Sequence, residues 1–223
     1  MSLTLVIGNK NYSSWSLRAW LTLAHAGLNF NEVRIPLDTP QSKANILAYA
    51  PNGKVPCLLD SSVQVEGGAL TVWDSLAICE YVNEKYLGGL YWPRDVGLRA
   101  QARSVVAEMH SGFAAVRTHM SMDIRNRLPD QGRVALARGD VAAEVARIKA
   151  IWAQALDATG GPFLFGNYSI ADSFFAPVAT RFVTYGVALP PLLAAWSERI
   201  HALPAMQRWI ADGTAEKEVL PNH

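Results

Sequence analysis

The spacing of apolar residues changes character once along this chain. Up to about residue 87, short apolar runs alternate with helical stripes. "LTLVI" (3–7) reads as a strand. Leu17, Trp20, Leu21 and Ala24 then fall at i, i+3, i+4 and i+7, one face of a helix, and Gly27 follows where helices end. "FNEVRI" (30–35) alternates as a strand does and is closed by Pro36. A short helix is expected over 42–48, and strands over "VPCLLD" (55–60) and "ALTVW" (69–73). Leu76, Cys79, Val82 and Tyr86 step along a helix that stops at Gly88-Gly89. The order is β-α-β-α-β-β-α, an α/β layer whose last two strands, joined without a helix, pair antiparallel.

Beyond "LGGLYWPRD" (87–95) the strong signals are helical. The glycines and proline of that stretch mark a boundary, with one domain over 1–87 and a second, all-helical one over 93–223. Ala102, Val105, Met109, Phe113, Val116 and Met120 step by three or four and predict one helix facing the first domain. Val141, Val145, Ile148, Trp152 and Leu156 predict a second. A third runs from Ser169 towards Tyr185, and two shorter ones cover about 191–202 and 204–212. Pro177 lies inside the third, where a proline costs about 3 kcal/mol, so a bend is expected there. The charged stretch 125–140 reads as a solvated turn.

Composition adds exclusions. Half of the 223 residues are hydrophobic and 17% are charged, which is a globular balance. A formal net charge of +1 offers no electrostatic footprint for nucleic acid or an acidic membrane. No window reaches the roughly 18 apolar residues of a membrane span. The N-terminal apolar run is too short for a signal sequence, so a cytoplasmic protein is expected. Two cysteines, Cys57 and Cys79, cannot build a disulfide framework and lack the C-x-x-C spacing of dithiol chemistry. His110 and His119 are nine apart, not the three or four of a metal pair, and no metal is expected.

Candidate chemistry begins at "NYSSWSLRAWL" (11–21). Serines before an apolar helical run are good N-caps. The same hydroxyls, at the positive end of a helix, would also favour a bound thiolate. Asp74-Ser75 reads two ways as well: a strand end running into a capped helix, or a charge pair facing a ligand that carries both an ammonium and a carboxylate. Ser169-Ile170-Ala171-Asp172 has the form of a capping box, and for it the structural reading is preferred.

Four segments, in order, carry a resemblance: "SSWSLR" (13–18), "PNGKVPCL" (51–58), "DSLAICEYV" (74–82) and "SIADSFFAPV" (169–178). Together they resemble the cytosolic glutathione transferases, the first being similar to the serine motif of zeta-like members. The resemblance implies a thioredoxin-like N-terminal domain, an all-helical C-terminal domain and a two-fold homodimer. It implies glutathione as substrate, activated by Ser13 or, next, Ser14. It places Val55 and a cis Pro56 against the cysteinyl part, and Asp74 and Ser75 at the γ-glutamyl end. The glycyl carboxylate falls to Gln41, with Lys43 and Lys54 as alternatives.

A second-substrate pocket for a small electrophile is expected around Tyr12, Trp15, Met109, Phe113 and Arg117. Arg117, Arg125 and Arg127 suit either an anionic co-substrate or a solvated face. Trp15 stands where the zeta motif has its cysteine, which weighs against maleylacetoacetate isomerisation. The expected activity is glutathione conjugation. A maleylacetoacetate or maleylpyruvate isomerase and a non-catalytic glutathione binder are the alternatives.

Overall fold

The computed structural model describes residues 3–220. Its elements are β1 (Leu3–Ile7), α1 (Ser14–His25), β2 (Phe30–Arg34), α2 (Ser42–Leu47), β3 (Cys57–Val65), β4 (Gly68–Trp73) and α3 (Ser75–Leu87). Then come α4 (Val96–Ser111), α5 (Ala114–His119), α6 (Pro129–Leu136), α7 (Gly139–Thr159), α8 (Ile170–Thr184), α9 (Pro191–Ala202) and α10 (Pro204–Ala215). The sheet order is β2-β1-β3-β4. The β1–β2 pair is parallel, and β1–β3 and β3–β4 are antiparallel. This is the α/β layer the alternating pattern predicts, in the thioredoxin-like arrangement the resemblance implies.

One face of the sheet packs on α1 and α3 and continues into the helical layer as a single core. Thr22 on α1 donates to the Ser173 hydroxyl on α8 at 2.9 Å inside that core. Phe174, Phe175 and Phe182 of α8 are fully buried, the last two against Trp152, which packs on Trp196. Each such ring contributes about 1.5–3 kcal/mol by burial. A smaller cluster of Val6, Ile35, Ile46, Ala50 and Cys57 seats α2 on the other face. Asp60, buried at the β3 bulge, accepts hydrogen bonds from Tyr81, Lys85 and Tyr86 and so ties α3 to the sheet.

Two details depart from the sequence pattern. The helix expected from Ala102 to Met120 is two helices. It breaks at Gly112, and Phe113 takes a left-handed φ of 59° before α5 starts. The break re-aims the chain, so Met109 and Phe113 are both buried in the core. The stretch 125–140 contains α6, opened by Pro129 at its first position and packed on α7. The turn expected there is a helix because Gly132 lets it approach the backbone carbonyl of Tyr185 too closely for any Cβ. Helix α8 runs without interruption through Pro177.

Candidate active site

A cavity of about 730 Å³ opens between the first domain and the helices. That is an ordinary size for a small-molecule site. The residue 12–15 turn, the loop at 52–56 and the β4–α3 junction form one side. His110, Arg117, Ser121 and Arg181 form the other.

The start of α1 answers the question of its serines unequally. Ser13 is the N-cap: its hydroxyl oxygen accepts from the Ser16 amide at 3.3 Å and its proton goes to the Ser16 hydroxyl at 2.7 Å. Ser16 in turn accepts from the Gly8 amide at 3.0 Å and is fully buried. Ser14 is placed differently. Its oxygen accepts from Arg181 Nη2 at 3.1 Å. A hydroxyl that accepts from a cation keeps its own proton to give. Both serines line the cavity.

At the second junction Asp74 adopts a φ of 77°, outside the usual range for a residue with a side chain. Such a conformation costs about 1–3 kcal/mol and is concentrated at functional sites. Asp74 Oδ1 offsets it by accepting from Leu76 N at 2.8 Å and Ala77 N at 3.3 Å, capping α3. Asp74 Oδ2 faces His110 Nε2 at 3.3 Å. The neighbouring Ser75 hydroxyl is buried with no hydrogen-bond partner, at a helix N-terminus that favours anions.

The helical wall is cationic. The guanidinium carbons of Arg18 and Arg117 lie 4.4 and 4.8 Å from the centroid of the Trp15 ring, and His110 meets that ring edge-on at 5.2 Å. Arg181 is buried and donates to the Met120 carbonyl as well as to Ser14. Burial and the charge of Arg117 hold Arg181 down to about 9. Burial also lowers His110, against the opposing pull of Asp74.

The other expected residues divide. Tyr12, Trp15, Lys54, Val55, Pro56 and Arg117 line the cavity, and the Val55–Pro56 bond is cis. Gln41 precedes α2 as an exposed residue and is not part of the lining. Lys43 donates instead to the Gly53 carbonyl at 3.4 Å. Met109 and Phe113 do not line it either. Arg125 donates to the Tyr12 hydroxyl at 2.7 Å and to the C-terminal backbone, so it anchors the turn from behind. Arg127 folds back on the carbonyls of Ile124 and Asn126. Burial pushes the thiols up, Cys57 to about 11 and Cys79 to about 12, so neither is a nucleophile at neutral pH. Sequence reasoning missed Arg181. Its signal was a lone charge in the apolar stretch "SFFAPVATRFVT".

Comparison with known proteins fits this geometry. Residues 12–85 match the family model of the glutathione S-transferase N-terminal domain. The chain is 27% identical over 189 residues to the disulfide-bond oxidoreductase YfcG of Escherichia coli strain K12, covering 83% of this chain and 85% of that protein. It superposes on the theta class glutathione S-transferase of Xanthomonas axonopodis pv. citri, solved with glutathione bound. There the TM-score is 0.65 at 26% identity, over 93% of this chain and 96% of that one. A glutathione transferase homologue from Burkholderia gl BGR1, also with bound glutathione, gives a TM-score of 0.67 at 24% identity, over 97% and 100%. The chain has the glutathione transferase fold along its length, and residues 12–85 match the N-terminal domain model of that family.

Proposed function

We propose that this protein is a serine-type glutathione transferase in which the Ser14 hydroxyl donates a hydrogen bond to the glutathione thiolate. The observation that carries the reading is the pair of uncommitted hydroxyls on one cavity. Ser14 is held by Arg181 with its proton free, and Ser75 is buried without a partner. The family's N-terminal domain and two neighbours solved with glutathione support the choice of thiol.

In this reading the γ-glutamyl carboxylate takes the Ser75 hydroxyl at the start of α3, and its ammonium takes Asp74 Oδ2. The cysteinyl part lies along Val55-Pro56, and Lys54 meets the glycyl carboxylate. The thiol, with an ordinary pKa near 8.5, then sits at the start of α1. The Ser14 hydroxyl and the helix end favour its anion. The thiolate attacks an electrophilic carbon: a C–S bond forms, the bond to the leaving group breaks with its electron pair, and the thiol proton passes to solvent. Ser14 is preferred to Ser13 in this reading because the Ser13 hydroxyl already donates to Ser16.

The similarity to YfcG favours a second reading, glutathione-dependent disulfide exchange. There the same thiolate attacks a disulfide sulfur, the S–S bond breaks to release a thiolate, and a second glutathione resolves the mixed disulfide. With Cys57 and Cys79 buried, glutathione supplies every thiol. Two measurements test these readings. Calorimetry with glutathione should show binding, and thiolate absorbance in the complex should titrate below the pKa of free glutathione. Turnover of an aryl halide then supports conjugation, and turnover of 2-hydroxyethyl disulfide supports exchange. Binding with neither would leave a glutathione-binding protein. A two-fold homodimer goes with the proposal, and light scattering at micromolar concentration tests it.

A further inference from the structure

We propose that the co-substrate carries a carboxylate, received by Arg117 and Arg181 on the helical side of the cavity. The inference rests on the reading above for placing the sulfur beside Ser14.

The argument is a charge inventory. Five ionisable side chains of basic or acidic type line the cavity: Lys54, Asp74, His110, Arg117 and Arg181. The one carboxylate among them is committed, with Oδ1 capping α3 and Oδ2 facing His110. Glutathione brings two carboxylates, which the α3 start and Lys54 accommodate, an ammonium, which takes Asp74, and a thiolate at Ser14, with Arg181 behind it. That leaves Arg117 without an anionic counterpart and Arg181 with only a share in the thiolate. Arg18, buried behind Trp15, makes a third nearby cation, and two of its nitrogens have no hydrogen-bond partner.

Among the described residues, none of these three arginines has a carboxylate oxygen within 4.0 Å. Glu144 influences Arg117 from a distance, but its oxygens accept from the amides of Ala115 and Val116. Backbone carbonyls orient the arginines without neutralising them. Arg117 donates to Gly112 and Met109, and Arg181 to Met120.

Buried like charges repel: Arg117 and Arg181 both lower Arg18, and Arg117 lowers Arg181. An anion entering between them relieves that repulsion, and guanidinium is the side chain best shaped to hold a carboxylate. Trp15, half-buried beside Arg117, supplies a flat face for the body of such a molecule. A plain apolar co-substrate would leave Arg117 uncompensated. The arrangement therefore selects a carboxylate-bearing electrophile over its neutral counterpart.

Binding of a matched, unreactive pair tests this without requiring turnover. The glutathione-loaded protein is titrated by calorimetry with 4-nitrobenzoate and with 4-nitrobenzamide. The carboxylate should bind about tenfold tighter or better, a difference of roughly 1.4 kcal/mol. Arg117→Gln should bring the ratio close to one, and Arg117→Lys, which keeps the charge, should restore part of it. A circular dichroism melt of both variants separates loss of fold from loss of charge. The proposal is overturned if the amide binds as tightly as the carboxylate, or if Arg117→Gln leaves the preference intact. A separate glutathione titration of the wild type reports on the underlying reading. Should it show no binding, the same pair is titrated against the free protein, where the arginines must still prefer the carboxylate.

Discussion

Helices α8 and α1 both begin with serine, and the two starts are built for opposite purposes. At α8, Ser169 and Asp172 form a closed capping box. Asp172 accepts from the Leu164 amide, the Ser169 amide and hydroxyl, and Trp196 Nε1, at 2.9 to 3.0 Å. Each of these four donors is satisfied by Asp172, and although Ser169 borders a second cavity, its hydroxyl is taken up within the box. At α1 the cap is complete with Ser13 alone, yet a second serine stands beside it on the cavity with a cation at its back. A helix start that closes on itself is structure. One that is capped and still presents an uncommitted hydroxyl has a polar group left for a ligand.

The comparison breaks most visibly at Asp172. Asp172→Ala removes the acceptor for four donors inside the core, where leaving even one unpaired costs about 1–3 kcal/mol. A loss of roughly 3 kcal/mol or more is expected, beyond the 0.5–2 kcal/mol of an ordinary cap. Urea unfolding would measure it as a lower midpoint. Glutathione affinity should be unchanged at temperatures where the variant is folded. A weakened affinity there would mean that α8 serves the site through its N-terminus as well as through Arg181.

Ser75 sharpens the comparison from the ligand side. Its hydroxyl has no partner to lose in the free protein, so Ser75→Ala should leave the unfolding midpoint nearly unchanged. With glutathione present it should lose a hydrogen bond to a charged group, about 1.5–3 kcal/mol. Affinity by calorimetry should fall about tenfold to a hundredfold. Stability falling while affinity stays fixed would return this junction to the purely structural reading.

The contrast between the two helix starts was only half legible in the sequence. The capping box at Ser169 was readable because both partners lie within four residues. The order of strands and helices up to Leu87 was readable because each element's apolar period is local. The break at Gly112–Phe113 was not, since the apolar step of three and four continues across it unchanged. Helix α6 was hidden by its charges, because what seats it is the close approach of Gly132 to Tyr185 in another part of the chain. The unequal roles of Ser13 and Ser14 were invisible for the same reason. They depend on Arg181, 167 residues away, and on the Gly8–Ser16–Ser13 chain that uses up one hydroxyl. Gln41 follows the family pattern but is exposed and outside the cavity lining, because a motif carries a position without its surroundings.

Ser14→Ala tests the open hydroxyl directly. Without it the glutathione thiolate loses one donor, and its pKa in the complex should rise by about one unit, roughly 1.4 kcal/mol. The thiolate fraction at neutral pH then falls several-fold to tenfold, and turnover with a general electrophile should fall in parallel. Arg181→Lys should give a smaller shift in the same direction, since it retains a charge behind Ser14 but loses the planar fork that reaches both Ser14 and Met120.

The smallest effect is expected at Ser13, and it separates cap from catalyst most cleanly. Ser13→Ala removes an acceptor from the Ser16 amide and a donor to the Ser16 hydroxyl. Ser16 keeps its bond from Gly8, so the turn retains one of its ties. The loss should be close to 1 kcal/mol of stability, the middle of the range for an N-cap serine. The thiolate titration of bound glutathione should stay where it is in the wild type, because the Ser13 hydroxyl donates to Ser16 and not to sulfur. If the titration shifts upward by a unit or more in Ser13→Ala and stays fixed in Ser14→Ala, the roles are reversed. The Ser13–Ser16 bond must then open when glutathione binds, with Ser16 turning to another acceptor.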